Sequence, residues 1–264
     1  MKRTEFSGRF GADGKPEYTL LTVQPLFRSE GNIDTVFVQG SQLRYALFGD
    51  ERDTTNLGLG YRRLLLDNTL LVGGNSFYDR EWTYGHQRVG FGADAMWRML
   101  DFHANDYIAA TRDRTVGNGV SERVMNGWDS ELRSQIPYLP WARIGVQRYE
   151  WNGEFSSVRG WGYTLAMDLT PNISVELGSR TAALPGTGGG GGVTGGNLFA
   201  TVSLHLGDTS RPVAASSDFI ADQPFAEAPD LTSHTLDKVR RENRIIVERT
   251  VKTNGISVVV GRSG

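Results

Sequence analysis

Residues 56–65 read Asn-Leu-Gly-Leu-Gly-Tyr-Arg-Arg-Leu-Leu. On an extended chain Leu57, Leu59 and Tyr61 share one face, and Asn56, Gly58, Gly60 and Arg62 share the other. The fold depends on which of these faces meets water. The same period of two recurs along most of the sequence. Thr4, Phe6, Gly8 and Phe10 alternate with Arg3, Glu5, Ser7 and Arg9. Val89 to Trp97 alternate with Arg88, Asp94 and Met96. Trp128 to Ile136 oppose Asp129, Glu131 and Arg133. Trp161 to Leu169, Ile173 to Leu177 and Leu198 to Leu206 repeat the pattern, with Phe199 out of phase. Helical periodicity is scarce before residue 230.

Less regular stretches at 18–27 (which holds Pro25), 35–48 (which changes phase near Gly40, as at a bulge), 69–78 and 100–111 bring the total to about twelve strands of roughly ten residues, enough to span a bilayer when tilted. Short connections at 66–68, 99–101, 137–141 and 170–172 alternate with longer polar ones at 49–54, 79–86, 112–126, 152–159 and 182–196. An up-and-down barrel gives this rhythm when its tight turns gather at one end.

Composition narrows the reading. A net charge of −2 and the lack of a basic patch interleaved with aromatics argue against a nucleic-acid partner. Cysteine is absent, so neither disulfides nor thiolate metal sites form. No apolar run is long enough for a membrane helix, and the mean hydropathy of −0.35 is mild, as alternating membrane strands also are. The N-terminus lacks the apolar run of a signal peptide, which fits either a cytosolic chain or one that starts after a removed segment.

A soluble barrel and a membrane barrel give the same alternation. Three features favour the membrane form. The polar faces carry complementary charges, suited to a lumen lined by Arg62, Arg88, Asp94, Asp129, Glu131, Arg133, Glu176 and Arg180. Trp97, Trp128, Tyr138, Trp141, Trp151 and Trp161 lie near strand ends, as interfacial aromatics do. Twelve strands also enclose more space than wall side chains fill easily. The expected fold is an all-β, twelve-stranded antiparallel up-and-down transmembrane β-barrel over 1–206. A second region, 207–264, holds polar, proline-bearing irregular chain, a short C-terminal helix near 230–243 and an extended segment.

Catalytic and cofactor signatures are weak. His86, His103, His205 and His234 have no metal-binding spacing, and no nucleophile elbow occurs. The Gly-rich run 187–196 matches a phosphate-loop pattern only trivially, since no helix pattern follows. No enzyme, cofactor or metal site is expected. A Ser/His pair on neighbouring strands, as in a barrel hydrolase, stays open as an alternative, as do a diffusion porin and a soluble ligand-binding barrel.

Several motifs add a resemblance. The run 57–62 (LGLGYR), the Gly-x-Asn-x-Phe-Tyr-Asp run Gly73 to Asp79, the Arg-x-Gly-x-Gly-Ala run Arg88 to Ala93, GWDSELRSQIPYLP (127–140) and VRRENRIIVER (239–249) resemble, in order and spacing, the translocator barrel of the intimin/invasin family, the inverse autotransporters. The resemblance implies an outer-membrane barrel that anchors and exports a C-terminal passenger through its own pore, with 207–264 as a periplasmic turn, a short helix and an extended linker threaded in the pore toward that passenger. Its partners would be outer-membrane lipid, its own linker and passenger, the barrel-assembly machinery and periplasmic chaperones. The matching tail residues, Val239, Arg241, Asn243, Ile245 and Glu248, together with Arg244, become linker or plug candidates. Arg240, Arg241, Arg244 and Arg249 are expected to face lumen carboxylates such as Asp94, Asp129, Glu131 and Glu176. From Arg244 to Gly264 the chain can span on the order of 65–70 Å at ~3.3 Å per residue, well beyond a hydrocarbon band of about 25 Å. Family members usually carry a periplasmic region before the barrel and Ig-like passenger domains after it. This sequence shows neither, so adhesion is not assigned to these residues.

Overall fold

A computed structural model describes residues 3–11, 15–117, 119–182, 184, 197–207, 212–215, 219–225, 230–253 and 256–260. Its strands are β1 (Arg3–Gly11), β2 (Glu17–Arg28), β3 (Asp34–Leu47), β4 (Asp50–Leu65), β5 (Leu70–Glu81), β6 (Gln87–Trp97), β7 (Leu100–Ala109), β8 (Arg114–Gly117), β9 (Val120–Val124), β10 (Asn126–Ile136), β11 (Leu139–Asn152), β12 (Ser157–Thr170), β13 (Ile173–Arg180), β14 (Asn197–Leu206), β15 (Val247–Thr253) and β16 (Ile256–Val260). Twelve of them close an antiparallel barrel in which β1 pairs with β14. The other four, in the order β16-β15-β9-β8, form a separate sheet. Closure satisfies the backbone without an open edge, as a membrane-spanning sheet requires.

On β4, Leu57, Leu59 and Tyr61 face outward with 58%, 54% and 43% of their surface exposed, while Asn56 and Arg62 are buried inside. Phe6, Phe10, Phe91, Trp97, Trp128, Leu132, Trp161, Tyr163, Leu198 and Leu204 join the outer apolar wall. Such a wall suits acyl chains.

The inner glycines of the same strand make room for rings. A Cβ on Gly58 would lie 2.3 Å from the Phe77 ring, and one on Gly60 2.2 Å from Phe37. Phe37 and Phe77 belong to one buried cluster inside the barrel, together with Leu236 and Val239 of the tail. Gly60→Ala is therefore expected to cost about 1–3 kcal/mol by overpacking. Urea unfolding of the barrel in vesicles checks this, with Leu59→Ala on the outer face as the comparison.

The tight turns at 66–69, 98–99, 137–138 and 171–172 share one end with the start of β1 and the end of β14. Several details depart from expectation. Residues 50–54 are strand, so β3 and β4 join through Phe48 and Gly49 alone, and Gly49 takes a left-handed φ of 85°. Polar residues there looked like loop because the strand continues beyond the apolar belt. β3 runs through Gly40 in unbroken register with both neighbours. Its apparent phase change arises because Leu43, Tyr45 and Leu47 face inward, packing on Ile245 and Val247. The bulge of this region falls between Pro25 and Phe27. Trp151 also faces inward, 1% exposed, its ring tilted 30° against Tyr107 at 5.0 Å between ring centres. The Gly-rich run 187–196 lies outside the described residues.

The expected C-terminal helix is a single 3-10 turn at Leu231–His234, capped where Asp230 accepts from Thr232 N. Beyond it a turn at 235–236 leads into irregular chain up to β15 at Val247. A helix needs its N–H and C=O groups for itself, but here wall side chains take them. Nor does the following segment run on as one strand: β15 pairs with β9 and turns back into β16.

Candidate functional site

The polar inward residues of the wall converge on residues 231–249. Arg62 Nη1 donates to the carbonyls of Thr235 (3.3 Å) and Asp237 (2.5 Å). Val239 N donates to Gln39 Oε1 at 2.7 Å. Asn105 Nδ2 donates to Arg240 O at 2.9 Å, and Glu242 N to the Tyr107 hydroxyl at 2.8 Å. Arg88 reaches Glu242 O at 2.6 Å and Arg244 O at 2.9 Å, and Asn56 Nδ2 reaches Asn243 O at 3.1 Å. These bonds supply the partners that a helix would have supplied, so the segment needs no helix to satisfy its backbone.

Direction follows from the partners. Leu231 N donates to Asn68 O in the β4–β5 turn, at the tight-turn end. Along β4 the tail's partners then step from Arg62 (Thr235, Asp237) to Asn56 (Asn243). At the far end Arg249 binds Asp50, the first residue of β4, at 2.7 Å. The tail's contacts thus run from one end of β4 to the other.

Charge pairs knit the same surface. Asp79 is the main hub. Its carboxylate accepts from Asn56 (2.8 Å), from Arg88 Nε (2.8 Å) and from both terminal nitrogens of Arg241 (2.8 and 2.6 Å). Arg240 binds Glu131 (2.6 Å) and Glu176 (2.9 Å). Arg244 binds Glu242 and Glu17, each at 2.9 Å, and Arg180 binds Glu242 at 3.1 Å. Lys238 donates to both oxygens of Glu5, and Arg3 pairs with Asp237.

Most residues singled out from sequence fall on this surface. Arg62, Arg88, Asp94, Asp129, Glu131 and Arg133 are buried and face inward. Arg62 pairs with Asp94 at 2.9 Å, so Asp94 meets a wall arginine instead of the tail. Asp129 accepts from Asn105 and the Tyr107 hydroxyl and forms no ion pair with a tail arginine among the described residues. Arg133 lies 3.9 Å from Glu131. Of the four expected tail pairings only that of Arg240 meets two named carboxylates. Arg241 goes to Asp79, Arg244 to Glu242 and Glu17, and Arg249 to Glu122 and Asp50. Val239 and Ile245 are buried in apolar clusters. Asp79, Glu122 and Glu242 escaped the sequence reading. Asp79 had a signal: it ends the motif that starts at Gly73, on the same face as Phe77.

A second cluster lies where the tail joins β9. Glu122, 1% exposed, accepts from Arg52 (2.9 and 2.7 Å), from Arg249 (2.8 Å) and lies 3.0 Å from His86 Nε2. Beside it Glu248 accepts from the N–H groups of Glu154 and Phe155 and from the Ser156 hydroxyl, which clamps the β11–β12 turn. Burial alone would raise the Glu122 carboxyl, but the hydrogen bonds from His86 and Arg52 and the charge of Arg52, with Arg249 adding to them, outweigh it and hold the group at about 2. The folded state then binds fewer protons than the unfolded one. Glu122's contribution is complete above its ordinary value of 4.5 and declines as pH falls toward 2. Pepsin cleavage within residues 249–253 is expected to accelerate over that window relative to an exposed control site. Glu122→Gln should cleave fast throughout.

The Ser/His pair that a barrel hydrolase would need exists. Ser174 Oγ lies 2.8 Å from His205 Nε2 on adjoining strands. Glu5 is 3.8 Å from His205 Nδ1, too far for a hydrogen bond, and is held by Lys238 and Ser203. It does not orient the imidazole as the third member of a triad would. Beside the tail a polar cavity of about 570 Å³ remains, lined by Asp94, Asp101, His103, Arg133, Glu176 and Arg240 among others.

Known proteins resemble the chain in sequence and in barrel fold. The family model "Inverse autotransporter, beta-domain" matches residues 4–243. A putative attaching and effacing protein homolog of Escherichia coli K12 is 30% identical over 130 residues, 48% of this chain and 41% of that protein. Invasin of Yersinia enterocolitica is 30% identical over 142 residues, 49% of this chain and 16% of its own length. The chain thus matches less than half the length of these relatives. Among solved structures, one described as "Unveiling the Mechanism Behind the in-meso Crystallization of Membrane Proteins" superposes with a TM-score of 0.70 at 19% identity, covering 94% of this chain and 99% of that one. A KdgM porin in complex with disordered oligogalacturonate gives 0.51 at 9% identity, covering 78% and 99%. These two share the fold. The chain belongs to the inverse autotransporter β-domain family and is a translocator domain of the bacterial outer membrane, not an enzyme.

Proposed function

We propose that the barrel exports and displays a passenger that continues from its own C-terminal segment, and that residues 231–249 are the threaded linker that fills the pore afterwards. The observation that carries this reading is the stepwise bonding of Thr235 to Arg249 from one end of β4 to the other. A diffusion porin would gain nothing from a tail whose arginines are matched to Asp79, Glu131 and Glu176. In this reading the tight turns face the periplasm and the β8–β9 connection faces outward. The outer sheet formed by β9 and β15 then holds the emergent chain, with Glu122 and Glu248 as its fastenings. Barrel-assembly machinery and periplasmic chaperones deliver the chain, and export draws on assembly or on passenger folding.

An epitope added after Gly264 tests the reading. On intact cells it should bind antibody, while an epitope before Arg3 should bind only after permeabilisation. The opposite pattern would overturn the reading.

A further inference from the structure

The outer wall changes character abruptly at the end that carries β8 and β9. On β4, β5 and β6 the last apolar row is Leu57, Tyr78 and Val89, which pair in register. The next row outward is Thr55, Arg80 and Gln87, with Gln42 of β3 opposite Thr55. Trp82 follows at the strand's end, 56% exposed. Its indole does not hang free. Nε1 donates to Thr55 Oγ1 at 2.8 Å, and Thr55 Oγ1 donates to Gln42 Oε1 at 2.5 Å. The Arg80 guanidinium lies over the pinned ring, 4.4 Å from its centre.

Neighbouring charges are accounted for. Arg44 is held by Asp53 through two bonds of 3.0 and 2.9 Å, and Lys15 lies 3.7 Å from Glu51. Arg80 has no carboxylate within ion-pair distance among the described residues. Part of this arrangement, a guanidinium over an indole, recurs across the barrel without the hydrogen bonds that pin Trp82. Arg148 sits over Trp161 at 5.1 Å, one row beyond the apolar pair Val146 and Tyr163, and it too has no carboxylate partner among the described residues.

We propose that Arg80, Trp82, Thr55 and Gln42 form a docking surface for the phosphate-bearing headgroup of an outer-leaflet lipid. The height is right: this row begins where the acyl-facing wall stops, so a headgroup lies alongside it. So is the chemistry. A guanidinium takes phosphate through two parallel hydrogen bonds, and stacking on an aromatic ring fixes its plane in advance. The surface adds one uncompensated positive charge beside a neutral Arg44–Asp53 pair, which an anionic headgroup complements. The inference rests on the proposed function, in which the β8–β9 end faces outward.

The test uses the purified full chain in nanodiscs holding a bis-phosphorylated glucosamine-based lipid or its dephosphorylated counterpart, with retained lipid counted by native mass spectrometry. Wild type should retain the phosphorylated form in about fivefold excess. Arg80→Ala and Trp82→Ala should each erase most of that excess, Arg80→Lys should keep part of it, and Arg98→Ala beside Trp97 at the opposite end should leave it unchanged. Equal retention of both lipids by wild type, or an excess that survives Arg80→Ala, overturns the proposal. Nanodiscs present both ends of the barrel to the same lipid, so this result does not depend on orientation. The epitope experiment reports orientation separately. Variants that fail to fold are identified by loss of heat modifiability on gels, and the same measurement is then made with Gln42→Ala and Thr55→Ala, which free the indole without removing a charge.

Discussion

Asp79→Ala is expected to destabilise the folded barrel by about 3–5 kcal/mol, the cost of removing one member of a buried ionic group. The carboxylate is fully buried and accepts from Asn56, Arg88 and Arg241 at once. Its loss leaves two guanidinium groups facing each other with no ion-pair partner among the described residues. Arg88 also holds the carbonyls of Glu242 and Arg244, so repulsion there displaces the tail as well as the wall. Two controls separate charge from packing. Asp79→Asn keeps the shape and should still lose most of the stability. Asp79→Ala combined with Arg241→Ala removes one of the stranded charges and should recover part of it. Urea titration of the barrel refolded into vesicles reads all three. Equal stability of wild type and Asp79→Ala would show that the ion group contributes nothing.

Leu59→Arg should cost about 2–4 kcal/mol, because it places a guanidinium in the middle of the lipid-facing wall. Leu59 is 54% exposed on the isolated barrel, so in water the same substitution would be almost free. The penalty therefore reports the solvent, not the packing. Moving the substitution along the outer face of β4 to Thr55, beside the headgroup row, should reduce it toward about 0–1 kcal/mol. A flat profile between the two positions would mean that the outer wall does not meet hydrocarbon.

The barrel was legible because one face of nearly every strand had to suit lipid and the other had to suit a polar interior. That constraint writes period two into the sequence, and the tight turns at 66–69 and 98–99 punctuate it. Legibility failed wherever a residue answered to something distant in the chain. Leu43, Tyr45 and Leu47 looked like a phase error because their partners, Ile245 and Val247, lie some two hundred residues away. Trp151 looked like an interfacial aromatic, yet it packs inside against Tyr107 and Met125. Arg52 and Thr54 looked like loop because the strand holding them rises beyond the apolar belt. The helix expected near residue 231 collapsed to one turn because Arg62, Gln39, Asn105 and Arg88 compete for its backbone groups, and no local propensity anticipates that. The acidic residues that matter most, Asp79 and Glu122, sit in ordinary alternating or polar stretches. Their partners, Arg241 and Arg249, become visible only when the tail is laid along the wall.

The most direct measurement is single-channel conductance in planar bilayers, comparing the full chain with a chain ending at residue 230. Under the proposed threading the full chain should stay closed or nearly so, and the shortened chain should open into large, stable steps. Equal, large conductance from both would mean that residues 231–249 do not fill the pore, and would contradict a linker threaded through the barrel.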